Sequence, residues 1–321
     1  PEDPFFRFIT RSEIEITLKI RFRPGSRGFR NQPDFPPGVP CRLHSLYYNH
    51  KSETGLIASS DQQLFHKSDK KPAFTRKGNV DVFPLKIPGF MIVGTDTDVG
   101  KTYISAAIAR QLTAEGVSTG AYKPACSGSI VQESSGKHVW EDIEQLRQAI
   151  GAPEQATERI CPQTFHAPLA PPVAAAREDR EIDEDLLLTG VRWWEDQSDF
   201  LIVEGVGGVL CPLSERKLIV DFAMELKYPV IIVARAGLGT INHSLLTIEV
   251  LQQWGLTIAG LILNDVDPEL SDESRLSNAA QIQKWTSVPV LSFVPFDWQS
   301  NLLRYQTQDR IDWRQLSQDL L

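Results

Sequence analysis

The rhythm of apolar and polar positions changes near residue 88. Beyond it, short β-branched and apolar runs such as Phe90-Met91-Ile92-Val93 and Val230-Ile231-Ile232-Val233-Ala234 alternate with stretches whose apolar residues recur at helical spacing. This alternation predicts strands over 90–93, 119–122, 200–203, 230–234 and 258–263. Helices are predicted over 101–115, 142–150, 241–254 and 273–285, with a closing loop and a last helix in 295–321. Strand and helix signals in turn imply βαβ units and a parallel sheet. The strand runs are too apolar for a sheet with one wet face, so helices must cover both faces. The expected fold class is therefore α/β: a mostly parallel sheet, helices on both sides, one domain over 89–321.

Residues 1–88 read differently. Only 14–22 alternates apolar and polar residues in the manner of a strand, and 10 of the chain's 21 prolines fall in this segment. Such a stretch has no periodic apolar face with which to offset its ordering entropy, so it is expected to be a mostly disordered, dispensable extension. Its charge also sets it apart: 15 Lys and Arg face 9 Asp and Glu, against 18 and 32 in the remainder. An interaction arm is the rival reading of these basic residues.

The net charge of −8 discourages a nucleic-acid partner, because phosphate backbones select basic surfaces. No apolar run approaches the roughly 20 residues of a membrane-spanning helix, and no basic-then-apolar leader opens the chain. Cys41, Cys126, Cys161 and Cys211 form no C-x-x-C pair. A disulfide scaffold and a zinc knuckle are both disfavoured, and a soluble protein of the reducing cytoplasm is expected.

The chemistry concentrates at strand ends. Gly94-Thr95-Asp96-Thr97-Asp98-Val99-Gly100-Lys101-Thr102 follows the first strand and opens the first helix. A phosphate cradle needs backbone N–H groups converging at a helix N-terminus, a lysine for the terminal phosphates and a hydroxyl for Mg²⁺. Asp98, Val99, Gly100, Lys101 and Thr102 are accordingly read as nucleotide-binding. The generic motif has four residues between its glycines, whereas five separate Gly94 from Gly100. At the end of the 200–203 strand Glu204 is placed to hold Mg²⁺ opposite Thr102, since ligands of open α/β sheets collect at the carboxyl edge. Lys123, after the 119–122 strand, would neutralise transferring phosphoryl oxygens there.

The segments GTDTDVGKT, YKPACSG, APLAPPVAA, LIVEGVGGVLCPL, ARAGLGTINHSLLT and AGLILND resemble, in order and spacing, the dethiobiotin synthetases, ATP-dependent cyclo-ligases with a phosphate-loop NTPase-like fold. The unusual five-residue gap is a feature of that family, and the resemblance covers 89 to about 300. It implies a Mg²⁺ ion held by Thr102, Glu204 and an aspartate, identified with Asp142, Glu141 being the alternative. It implies that Lys101 and Lys123 contact the ATP phosphates and a developing carbamate, and that Thr97 and Ser127 bind the reacting end of a diamine. Asn264 would bind adenine, with Val294 and Pro295 as a purine wall. Gly239, Thr240, Ile241 and Asn242 would bind the substrate's carboxylate from the second subunit of a homodimer. Pro172 stands where relatives often carry histidine. His243, the one histidine inside a motif, is read as a packing or capping residue rather than a base. The rival functions are a partition-type switch ATPase, which would carry a further lysine where Asp96 and Thr97 stand, and a cobyrinate amidoligase, which would need a downstream glutamine-hydrolysing domain.

Overall fold

The computed structural model describes residues 85–266, 273–296 and 310–321. The strand expected over 14–22, and the extension up to residue 84, lie outside the described residues.

In chain order the elements are β1 (Gly89–Gly94), α1 (Lys101–Ala114), β2 (Thr119–Tyr122), β3 (Cys126–Ser127), β4 (Ile130–Val131), β5 (His138–Val139), α2 (Glu141–Ala149), α3 (Thr157–Ile160) and β6 (Thr164–Phe165). There follow α4 (Pro171–Ala176), α5 (Glu184–Glu195), β7 (Phe200–Gly208), α6 (Ile219–Leu226), β8 (Val230–Arg235), α7 (Thr240–Gln253), β9 (Ile258–Asn264), α8 (Ser274–Gln283), β10 (Val290–Val294) and α9 (Trp313–Gln318). The central sheet has the order β10-β9-β8-β1-β7-β2, with every pairing parallel. Two small ladders stand apart: β3 with β6, parallel, and β4 with β5, antiparallel.

Successive side chains of a strand point to opposite faces, and here both faces are buried. Phe90 and Ile92 enter one apolar cluster together with Ile104, Ile108 and Leu112 of α1 and Trp313 of α9. Met91 and Val93 enter the other, with Leu187 and Val191 of α5, Phe222 of α6 and Leu251 of α7. The double burial explains why β1, β7 and β8 read as continuous apolar runs rather than alternating ones.

The five expected strands are present, and β10 adds a sixth. This edge strand is five residues long, flanked by Pro289 and Pro295, and its Phe293 is exposed, so its run lacks the apolar continuity of the central strands. Four helices have no expected counterpart, the short α3 and α4 and the longer α5 and α6. Of the longer two, the first starts where the Asp183 carboxylate accepts a hydrogen bond from the backbone N–H of Leu186 at 3.0 Å. The second spans only eight residues, with Asp221 and Glu225 on one face and the other six buried, too short a run to display a helical period in the sequence. Pro171 and Pro172 occupy the first turn of α4, where the absent N–H groups cost nothing. Pro172 is buried there and so serves to start a helix.

Candidate active site

The parallel topology sends β1, β2, β7 and β8 to one carboxyl edge, and the chemistry-bearing residues follow their strands to it. Between β1 and α1 the backbone turns through two left-handed residues, Asp98 at φ 55° and Gly100 at φ 86°. Gly100 caps α1, no side chain satisfies the first N–H groups of that helix, and its first turn carries no acid. These orphan donors and the positive end of the helix dipole are left for an anion.

Packing makes Gly100 obligatory on two counts. An added Cβ would lie 2.1 Å from Nδ2 of Asn264, whose amide donates to the carbonyl of Val99 at 3.1 Å. We expect Gly100→Ala to lower the melting temperature, since the left-handed backbone alone costs about 1–2 kcal/mol for a residue with a side chain. Displacement of Asn264 should also cost its hydrogen bond to the Val99 carbonyl, adding to the loss of melting temperature.

Beneath the loop lies a buried charge cluster. Glu204 on β7 is fully buried, and its Oε1 accepts from the Thr102 hydroxyl at 2.7 Å and from Lys123 Nζ at 2.6 Å. Lys123 also donates to Asp142 Oδ2 at 2.6 Å, from the first turn of α2. Burial alone would push the Lys123 ammonium down, but Glu204 and then Asp142 outweigh it and hold its pKa well above the usual lysine value. Burial likewise opposes ionisation of Asp142, and the Lys123 charge and hydrogen bond overcome it, so the carboxyl stays below its ordinary range. Lys101 behaves differently: burial dominates and lowers its pKa, although Glu204 and Asp142 work in the other direction. Its Nζ donates to the backbone carbonyl of Asp96 at 3.1 Å.

A cavity of about 680 Å³ opens over this cluster. Of the residues singled out in the sequence, Thr97, Asp98, Gly100, Lys101, Thr102, Lys123, Ser127 and Asp142 line it, and Glu204 lies just below. Glu141 lines it as well, but Asp142 is the one in contact with Lys123. Ser127 donates to the carbonyl of Leu169 at 2.6 Å, which leaves its oxygen able to accept. Val99 is buried under the loop, and Asn264 packs against it with only 5% exposure. Val294 is buried at the end of β10, and Pro295 follows it exposed. None of these last four lines the cavity. Gly239, at φ 93°, caps α7, whose first turn is free of acid; Thr240 is buried and Asn242 exposed, and Gly239, Thr240, Ile241 and Asn242 stand outside the cavity of this chain.

The cavity also brings in Tyr103 and Gln145, which lie outside the motifs, and Cys126, Pro168 and Cys211, which lie within them but carried no expected role. Gln145 was within reach of sequence reasoning, because it lies one helical turn beyond Asp142 and so shares its face. The Cys126 thiol is pushed up to about 12 by burial and is held neutral.

A phosphate cradle at a helix start, a buried lysine bridging two carboxylates and a hydroxyl on one of those carboxylates define a phosphate-loop nucleotide-binding protein of the α/β class. Comparison with known proteins agrees. The family model described as an AAA domain matches residues 88–301. The chain is 43% identical over 216 residues to an ATP-dependent dethiobiotin synthetase of Anaeromyxobacter dehalogenans, covering 67% of this chain and 92% of that one. It is 37% identical to an enzyme of the same name from Anoxybacillus flavithermus, covering 71% of this chain and 99% of the relative. The septum site-determining protein MinD of Pyrococcus horikoshii, solved with Mg-ADP, overlaps at a TM-score of 0.35 and 16% identity over 66% of this chain and 82% of its own, too distant to bear on function. The chain belongs to the dethiobiotin synthetase family.

Proposed function

We propose that this protein is an ATP-dependent cyclo-ligase of biotin biosynthesis, joining 7,8-diaminopelargonic acid and CO₂ into dethiobiotin with release of ADP and phosphate. The observation that carries the reading is the convergence of Lys101, Lys123 and the free N-terminus of α1 on one cavity that also holds Thr97 and Ser127. One amine captures CO₂ as a carbamate, the γ-phosphoryl group passes to a carbamate oxygen, and the second amine closes the urea ring by displacing phosphate. No protein nucleophile is required. The chain's own contribution is positioning and charge: Lys101 and the α1 N–H groups hold the polyphosphate, Lys123 faces the developing carbamate, and Thr97 and Ser127 orient the diamine.

A Mg²⁺ ion fits this site. Its donors would be the Thr102 hydroxyl and the Glu204 and Asp142 carboxylates, all hard oxygens, with few protein ligands as Mg²⁺ prefers. Glu204 Oε2 is buried without a hydrogen-bond partner, an acceptor that a cation would satisfy. When bound, such an ion supplies charge neutralisation to the phosphoryl oxygens.

The cytoplasm is the proposed compartment. Cys126, Cys161 and Cys211 are free, and among the described residues no helix is long and apolar enough to cross a membrane.

Phosphate release should depend on both the diamine and bicarbonate. Release that ignores them would point to a nucleotide switch and overturn the ligase.

The proposal includes a homodimer with a shared site. The substrate's carboxylate lies an aliphatic chain away from its amines, and the N-terminus of α7 offers uncapped N–H groups to an anion. Leu238 and Leu246, each four residues from Asn242, are 83% and 58% exposed and supply apolar surface for a partner protomer. Mixing inactive Lys101→Gln and Asn242→Asp chains should then restore activity. Each heterodimer contains one composite site with neither change and so should recover about half the wild-type turnover. Proven heterodimers without activity would return carboxylate binding to the same chain.

A further inference from the structure

Outside the charge cluster, two histidines distant in sequence are brought onto one hydroxyl. The β4–β5 hairpin pairs Val131 with His138, while the β3–β6 ladder continues through a backbone hydrogen bond from Ser129 N to His166 O at 3.1 Å. As a result Ser129 Oγ lies 2.8 Å from Nδ1 of His138 and 3.0 Å from Nδ1 of His166. The two imidazole rings are 4.0 Å apart at their centroids, and both residues are exposed. Trp140 stacks on His166 at 5.5 Å and donates its indole N–H to the Phe165 carbonyl at 2.9 Å, so the His166 ring is held from behind.

A serine hydroxyl carries a single proton. It can donate to one Nδ1 and accept from the other when that ring carries its proton there; with both rings protonated on Nε2 instead, two Nδ1 lone pairs and the hydroxyl oxygen face one point as donors for a cation. Zinc–nitrogen bonds of about 2.0–2.1 Å in a tetrahedral site place neighbouring donors roughly 3.3 Å apart. The observed nitrogen–oxygen separations of 2.8 and 3.0 Å need to widen by only a few tenths of an ångström to admit the ion. Glu178 is committed elsewhere, accepting from the backbone N–H of His166 at 2.6 Å and pairing with Arg180. Among the described residues no group of three His, Cys, Asp or Glu side chains converges, so the site has two strong donors, a hydroxyl and a position open to water. That set favours modest, reversible binding.

We propose that Ser129, His138 and His166 form a binding site for a borderline divalent cation of the Zn²⁺ class, one that fastens the β4–β5 hairpin to the loop before α4 at the lip of the cavity. Gly128 and Pro168, the sequence neighbours of Ser129 and His166, both line that cavity, and a Cβ at Gly128 would fall 3.2 Å from Pro168 Cβ. Ligand chemistry separates this site from the one beside the phosphate loop: imidazole nitrogen selects Zn²⁺, whereas Thr102, Asp142 and Glu204 offer only the hard oxygens that suit Mg²⁺.

The test is a calorimetric titration of the full chain with zinc chloride in the presence of excess Mg²⁺. Wild type should bind Zn²⁺ with micromolar affinity, and His138→Gln and His166→Gln should each weaken it about tenfold or more. Asp142→Asn should leave zinc affinity unchanged. Hydrogen exchange in 129–139 should slow on zinc addition in wild type and not in the double histidine variant, which circular dichroism would confirm as folded. Co²⁺ in place of Zn²⁺ should give a d–d spectrum without a thiolate charge-transfer band. Equal zinc affinity in the double variant, absence of wild-type binding, or a thiolate band assigning the ion to a cysteine would each overturn the proposal.

Discussion

Lys101→Gln should fold normally and lose activity by about 10²- to 10³-fold, the loss that follows removal of one preorganised charge contact from a reacting centre. The lysine sits at the start of α1, 8% exposed, and its hydrogen-bond partner is the carbonyl of Asp96, so its loss removes one bond of modest net worth. The fold therefore loses little. On the proposed reaction, what disappears is the cation that would face the phosphates, and because charge accumulates there during transfer, kcat should fall more than ATP affinity. Steady-state kinetics beside a thermal melt check both halves. Wild-type turnover in a folded variant would remove the phosphate loop from the mechanism.

How much of this site could be read in the sequence depends on where each residue lies relative to a strand end. Gly94 to Thr102, Lys123 and Glu204 were legible because each directly follows a short apolar run, and parallel strands deliver their carboxyl ends to one edge. Asp142 was harder to place. It reaches the cluster from α2 after the β4–β5 hairpin, and only the contact with Lys123 separates it from Glu141. The edge strand β10 was hidden by its flanking prolines, and α6 by its length, since eight residues give a helical period barely two turns in which to show. Asn264 illustrates a different limit: its position after β9 is clear in the sequence, but its role in closing the space over Gly100 is a matter of packing that no pattern encodes. The pairing of His138 with His166 likewise needs two separate ladders to bring it about.

Lys123→Met should have the largest effect on stability, and a pH dependence that identifies its cause. Lys123 is 3% exposed and Glu204 fully buried, so deleting the cation leaves a carboxylate uncompensated in the interior. Breaking a buried pair from one side costs about 3–5 kcal/mol. In the native protein the raised Lys123 pKa means that its contribution is complete below the ordinary lysine value of 10.5 and lost only as pH rises through the higher folded value. The lowered Asp142 pKa means that its contribution is complete above 3.8 and lost as pH falls through the lower folded value. Lys123 and Asp142 should therefore add no slope to stability between those limits, whereas Lys101, whose folded pKa is lowered by burial, should make stability rise with pH as 10.5 is approached from below. In Lys123→Met a buried carboxyl keeps a proton that the unfolded chain gives up, so the folded state binds more protons and stability should fall as pH rises through the neutral range. Denaturant titrations at pH 5 and pH 8 would show it, with the variant more stable at pH 5. Adding Glu204→Gln, which removes the buried charge and keeps an acceptor for Thr102, should recover part of the lost stability without restoring activity. A variant as stable as wild type at both pH values would mean that Glu204 finds another cation or water, and that Lys123 is not needed for the fold.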